Sequence, residues 1–180
     1  MKFCGLKVEA SQPQELVSLA QALAQLHLEQ GFDDVKASRC LDAAFAFAED
    51  YLWQSLREQT ITASYEPDGN DFAELLRADF KELVAVSYFG GSFVEIIDPS
   101  TVAVDNSLPV ARAYFKEPTI SGNYFAPIKI TYKTKAPANT PEQIRQAILI
   151  ATAQFYDDRD APDLSAASAI LDLYKTRNLL

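Results

Sequence analysis

The chain has 180 residues, 48% of them hydrophobic, and a formal net charge of -9 at pH 7, which suits one domain with an ordinary core. That charge argues against a protein that grips nucleic acid by neutralising phosphates, since such binding draws on counterion release at a basic patch, but it is compatible with a wall past which DNA slides. No apolar run approaches the roughly 18 residues of a membrane span, and residues 1–10 lack the apolar centre of a signal peptide, so a soluble cytosolic protein with Cys4 and Cys40 as free thiols is expected.

In chain order, residues 11–28 carry Leu16, Leu19, Ala20, Leu23 and Leu26 at helical spacing and stop before Gly31, which predicts a first helix. Asp33 or Asp34 starts a second, longer one, with Ala37, Leu41, Ala44, Phe45, Ala48, Tyr51 and Leu52 on one face and Lys36, Arg39, Asp42 and Glu49 on the other. From residue 60 the period changes. Residues 60–65, 72–76, 83–89, 92–97, 102–104, 111–115 and 128–133 read as strands, and Gly90-Gly91 supplies the turn of the clearest hairpin.

Thr140 then caps a third helix whose first residue is Pro141, with Gln143 placed to close a capping box and Ile144, Ala147, Ile148, Ala151 and Phe155 forming its apolar face. Pro162 breaks it, and Ser165 caps a last short helix with Ala167, Ile170, Leu171 and Tyr174 on one side. The expected fold is α+β: a mainly helical bundle with an inserted antiparallel β-rich region between helices two and three. As a single domain over 1–180 it comprises a helical part 11–57, a β-rich insert 60–135, a helical part 140–175 and a tail 176–180.

Catalytic patterns are scarce. His27 has no acid or nucleophile at useful spacing, and His27, Cys4 and Cys40 lack any zinc spacing, so no catalytic residue, metal or cofactor is expected. Asp157, Asp158 and Asp160 form the densest acid cluster, without the glycine and closing glutamate of an EF-hand loop. Carboxylates at a helix C-terminus oppose its dipole, so Arg159 or a basic residue of another subunit is expected to compensate; Asp157, Asp158 and Arg159 are therefore inter-subunit candidates. Gly90-Gly91 lacks the lysine and helix of a phosphate loop. Tyr88, Phe89, Phe93, Tyr114, Phe115, Tyr124 and Phe125 have no interleaved cations and read as sheet packing, not as a base-stacking platform.

The order of blocks resembles the head-tail connector, or adaptor, proteins of tailed bacteriophages. The first helix matches a Leu-x-x-Ala-x-x-x-Leu pattern through Leu19, Ala22 and Leu26, followed by the acidic turn Asp33-Asp34, then Ala43, Ala44 and Glu49 in the second helix. Strand patterns are matched by Leu83, Val86 and Tyr88 and by Ile128, Ile130 and Tyr132, and the last block by Pro141, Ile144, Ala147, Ile148, Leu149, Tyr156 and Arg159. Two departures are His27, where a basic residue is usual, and the absence of a glycine in residues 133–136.

The resemblance implies a structural, non-enzymatic protein of the virion neck, assembled in the host cytoplasm. It implies a ring of identical subunits beneath the portal protein that extends the DNA channel, passes DNA without specific binding and meets a stopper or tail-completion protein. It also implies a C-terminal segment that inserts into a partner, which makes Lys175, Arg177, Leu179 and Leu180 interface candidates, with Gly90 and Gly91 of the hairpin as the other site. Alternatives are another neck or tail-completion protein, or a small acidic enzyme using Asp157, Asp158 and Asp160.

Overall fold

The computed structural model describes residues 1–11, 16–66, 68, 71–77, 79–89, 94–107, 110–115, 127–158 and 160–175. The chain divides into a sheet unit, Met1–Gln12 with Arg57–Ala136, and a helical unit, Pro13–Leu56 with Pro137–Leu180.

The sheet unit holds eight strands: β1 (Lys2–Ser11), β2 (Gln59–Glu66), β3 (Phe72–Leu75), β4 (Phe80–Phe89), β5 (Val94–Ile97), β6 (Val102–Asp105), β7 (Ala111–Phe115) and β8 (Ile128–Thr134). They form a five-stranded sheet in the order β1-β2-β8-β4-β5 and a three-stranded sheet in the order β3-β7-β6, with every pairing antiparallel. Burial alternates residue by residue along β2 and β8, as a sheet with one face on a core requires. Ile61, Tyr65, Val86, Ile128, Ile130 and Tyr132 of the larger sheet share one core with Ala73, Leu75, Val102, Ala111 and Ala113 of the smaller. Two buried phenols tie the sheets together: Tyr65 donates to the carbonyl of Glu74, and Tyr132 donates to that of Leu76 at 2.7 Å.

The helical unit holds α1 (Leu19–Gln25), α2 (Asp34–Leu52), α3 (Glu142–Asp157) and α4 (Ser165–Leu171). Its core joins Leu41, Ala44, Phe45, Ala48 and Leu52 of α2 to Ile144, Ala147, Ile148 and Ala151 of α3, with Ala167 and Leu171 of α4 and Ala22 of α1. The two longest amphipathic segments thus pack on each other, because neither stripe can be hidden alone.

These elements correct the expected proportions. Among the described residues helix and strand content is about equal, so the fold is not a mainly helical bundle with a β-rich insert. The difference lies in helices shorter than the expected helical parts and in Lys2–Ser11, which form β1 along the edge of β2. Two register shifts, between Phe3 and Gly5 and between Val8 and Ala10, break the alternation by which a strand is recognised. Three local readings also change. α1 begins at Leu19, not residue 11, because the capping box is built there: Ser18 Oγ accepts from Gln21 N at 3.2 Å, while Gln21 Oε1 accepts from Ser18 N at 2.8 Å. No such box opens α3, whose N-cap is Pro141 without a side-chain bond. At α4 the cap is Leu164, and Asp163, not Ser165, supplies the accepting oxygen, to Ser165 N at 3.0 Å.

Glu49, expected on the polar face of α2, is buried instead, and its Oε1 accepts from Leu56 N at 3.0 Å. The carboxylate serves a backbone donor just past the helix, where no helical carbonyl is available.

Candidate assembly surfaces

At the end of α3, Asp157 and Asp158 are exposed. Asp158 Oδ1 accepts from the backbone of Asp160 at 3.2 Å and Ala161 at 3.1 Å, so one carboxylate shapes the turn that stops the helix. Arg159 lies outside the described residues. A cation does approach this helix end within the same chain: Lys36 Nζ sits 3.8 Å from the ring centroid of Tyr156, whose hydroxyl donates to Asp33 Oδ2 at 2.9 Å. The hydrogen bond to Asp33, then partial desolvation, pushes the Tyr156 phenol up.

Lys175 lies with its Nζ 4.5 Å from the ring centroid of Tyr51, whose hydroxyl donates to Asp172 Oδ1 at 2.7 Å. Lys175 is exposed, with its ammonium over this ring of α2, while Arg177, Leu179 and Leu180 fall outside the described residues. β4 pairs with β5, with Phe89 opposite Val94 and Val86 opposite Ile97, while Gly90 and Gly91, expected at the turn, are outside the described residues. Val94 and Ile96 stand on the outer face of β5, an edge strand, and both are exposed.

His27 has a structural task. It takes the left-handed conformation (φ 56°) that ends α1, with its N–H bonded to the Ala24 carbonyl at 3.2 Å and the Leu28 N–H to that of Leu23 at 3.0 Å. Those two bonds make a Schellman motif, a position histidine tolerates better than most side chains. Cys4 is exposed and Cys40 buried, both as free thiols. Among the described residues no group of three or more His, Cys, Asp or Glu is placed to hold a metal, and no helix is long and apolar enough to cross a membrane. Of the aromatics expected in sheet packing, Tyr88 is in the core and Tyr114 tilts against Phe72 at 5.8 Å between centroids; Phe93, Tyr124 and Phe125 lie outside the described residues.

The charge is divided unequally. The helical unit carries six lysines and arginines against thirteen aspartates and glutamates; the sheet unit carries ten against twelve. In the sheet unit Lys7, Lys81, Lys133 and Arg112 pair with Glu9, Glu58, Glu82 and Glu74 at 2.7 to 2.9 Å. The bond from Lys133 holds the Glu82 carboxyl below its ordinary range.

One surface escaped the periodicity reading. A groove of about 470 Å³ at the start of α2 and the end of α3 is lined by Asp33, Val35, Lys36, Arg39, Cys40, Ala43 and Phe155. Phe32 and Val35 stand exposed in and beside the turn leading into α2. Their signal was two large apolar residues in a polar turn, at positions the helix stripe does not need.

No family model and no curated protein sequence matches the chain. Among solved structures it is similar to a chain of the neck of an empty gene transfer agent (GTA) particle computed with C6 symmetry, with a TM-score of 0.74 and 18% identity over 98% of both chains. It is also similar to a chain of the virion of a native GTA particle, with a TM-score of 0.71 and 17% identity over 97% of both. A third match is to a chain of the neck of a native GTA particle computed with C12 symmetry, at 0.66 and 17% over 98% of both. This chain therefore has the fold of chains found in the necks of phage-like particles.

Proposed function

We propose that this chain is a structural head-tail connector of a tailed phage or phage-like particle. In this reading its copies form a ring beneath the portal, extend the DNA channel, and present a surface to a stopper or tail-completion protein, without catalysis. The observation that carries it is the end-to-end correspondence with a neck chain, 98% of both at a TM-score of 0.74, reached where the block order of the sequence already resembled connectors. The symmetries of the similar particles, C6 and C12, support a cyclic assembly. The acidic balance supports passage of DNA without retention. Assembly would take place in the host cytoplasm and end in the virion neck.

The C-terminal segment, with Arg177, Leu179 and Leu180, is proposed to dock on the portal, the leucines making apolar contact and Arg177 pairing with portal acids. The test incubates purified protein with filled, portal-bearing, tailless heads and images the vertex by electron microscopy. A new ring beneath the portal is expected with the full chain, and its loss on deleting residues 177–180 with no change in thermal midpoint. A truncated chain that docks unchanged moves the anchor to the Gly90-Gly91 hairpin. Binding to isolated tails but not to heads would favour a tail-completion protein.

A further inference from the structure

Tyr51, near the end of α2, gathers the chain that follows α4 around one side chain. Its hydroxyl donates to Asp172 Oδ1 at 2.7 Å, and the Lys175 ammonium stands 4.5 Å from its ring centroid. The Ser168 side chain lies close to the same hydroxyl. Ser168, Asp172 and Lys175 recur at helical spacing, so they share one side of α4 and of its continuation. The turns do run on past Leu171: Asp172 N bonds to the Ser168 carbonyl at 2.8 Å, Leu173 N to that of Ile170 at 3.3 Å and Tyr174 N to that of Leu171 at 2.9 Å.

The ring is itself held. Phe47, one turn earlier on α2, tilts against it at 5.7 Å between centroids, and both pack beside the buried core of the helical unit. Tyr51 thus has a half-buried body and a polar tip that reaches the residues after α4. Ala167 and Leu171 already fix α4 on the core, and polar contacts at exposed sites contribute little net stability. What the Tyr51 contacts add is a direction for the stretch beyond Leu171, where Tyr174 packs on the core but Leu173 is 77% exposed.

The residues given to portal docking above, Arg177, Leu179 and Leu180, follow this stretch directly, so the position of Lys175 confines Leu180 to within about 17 Å of it. A segment on a fixed root meets a partner at higher effective concentration, and with less left to order, than one on a loose root. We infer that Tyr51 is a positioning residue for docking: by holding Asp172 and Lys175 against α2 it sets where the C-terminal segment leaves the helical unit. The inference rests on the tail-docking reading above.

The test compares the unsubstituted chain with Tyr51→Leu, which removes hydroxyl and ring, and Tyr51→Phe, which keeps the ring under Lys175. Hydrogen exchange of the free protein, read by mass spectrometry, is expected to quicken over residues 172–174 in both variants, more in Tyr51→Leu, with the rest of the helical unit unchanged. On portal-bearing heads the concentration for half-maximal ring occupancy should rise about tenfold for Tyr51→Leu, because residues 172–175 must then be ordered at the moment of docking, and less for Tyr51→Phe. Thermal midpoints separate this from a folding defect; if Tyr51→Leu melts early, Tyr51→Phe carries the comparison. Unchanged exchange over 172–174 would overturn the inference at its root. Faster exchange with unaltered or tighter docking would overturn the positioning role, since freeing the segment would then cost nothing or help. If the unsubstituted chain does not dock, or docks equally without residues 177–180, the tail reading falls and the inference with it; the exchange measurement, which needs no portal, tells that failure from a failure of the Tyr51 contacts.

Discussion

Ile148 is fully buried between α2 and α3, and its removal tests the helical core most simply. Ile148→Ala should cost about 2 to 5 kcal/mol by denaturant unfolding, as lost transfer energy plus an unfilled cavity; a loss under about 0.5 kcal/mol would mean the side chain faces solvent. In the sheet unit the sensitive residues are phenols. Burial, joined by the Glu74 charge for Tyr65 and the Tyr65 charge for Tyr132, pushes both well above the ordinary tyrosine value. The folded state keeps these protons while the unfolded chain releases them near pH 10. Their contribution to stability is therefore intact below about pH 10 and falls as the pH rises above it. Stability measured from about pH 8 to about pH 11 should fall more steeply in the parent than in Tyr65→Phe/Tyr132→Phe, which at neutral pH should lose about 1 kcal/mol per hydrogen bond. Parallel curves would show that the phenols titrate alike in both states. Glu49 marks the limit of residue-level reading: a carboxylate on a helix's polar side is expected outside, yet it is buried and accepts from the backbone of Leu56, seven residues on.

At the scale of elements, legibility followed regularity. β2, β3, β7 and β8 lie within a residue or two of the expected strands because strict alternation survives along them, and α3 because its apolar stripe is long, whereas α2, expected in a helical part reaching residue 57, stops at Leu52, where Trp53 turns left-handed. β1 escapes the reading, since its two bulges shift the inward-facing positions and leave Phe3, Leu6 and Val8 without a common period. Missing that strand also distorted the fold class, because an N-terminal strand makes the sheet a unit closed by both ends of the intervening chain. The candidate surfaces are less legible still. Lys175 read as tail but packs on Tyr51, and the groove beside Val35 depends on α2 and α3 meeting, which no local pattern encodes. The weight now given to β1 has a consequence. Deleting residues 1–11 would strip β2 of one of its two partners and leave a row of unpaired backbone groups on a new edge. Light scattering coupled to size exclusion should then show aggregation where the full chain runs as one species; an unchanged elution and mass would mean that β1 is dispensable to the sheet.

For the whole molecule, the distribution of charge matters more than its sum. Most of the excess acid lies in the helical unit, and in the sheet unit Lys7, Lys81, Lys133 and Arg112, four of its ten cations, are engaged with glutamates, which weakens their hold on phosphates. Anisotropy titration with duplex DNA at about 150 mM salt should show no binding in the micromolar range that non-specific binders reach. Micromolar retention would contradict a channel wall that lets DNA pass. The proposed connector role predicts no turnover to assay, so it is tested by the absence of the chain. The most direct measurement is electron microscopy of the particles made when the gene for this chain is deleted from the genome that carries it. Filled heads without tails are predicted, with tails restored on adding the purified protein to the lysate; normally tailed particles from the deletion would contradict the role.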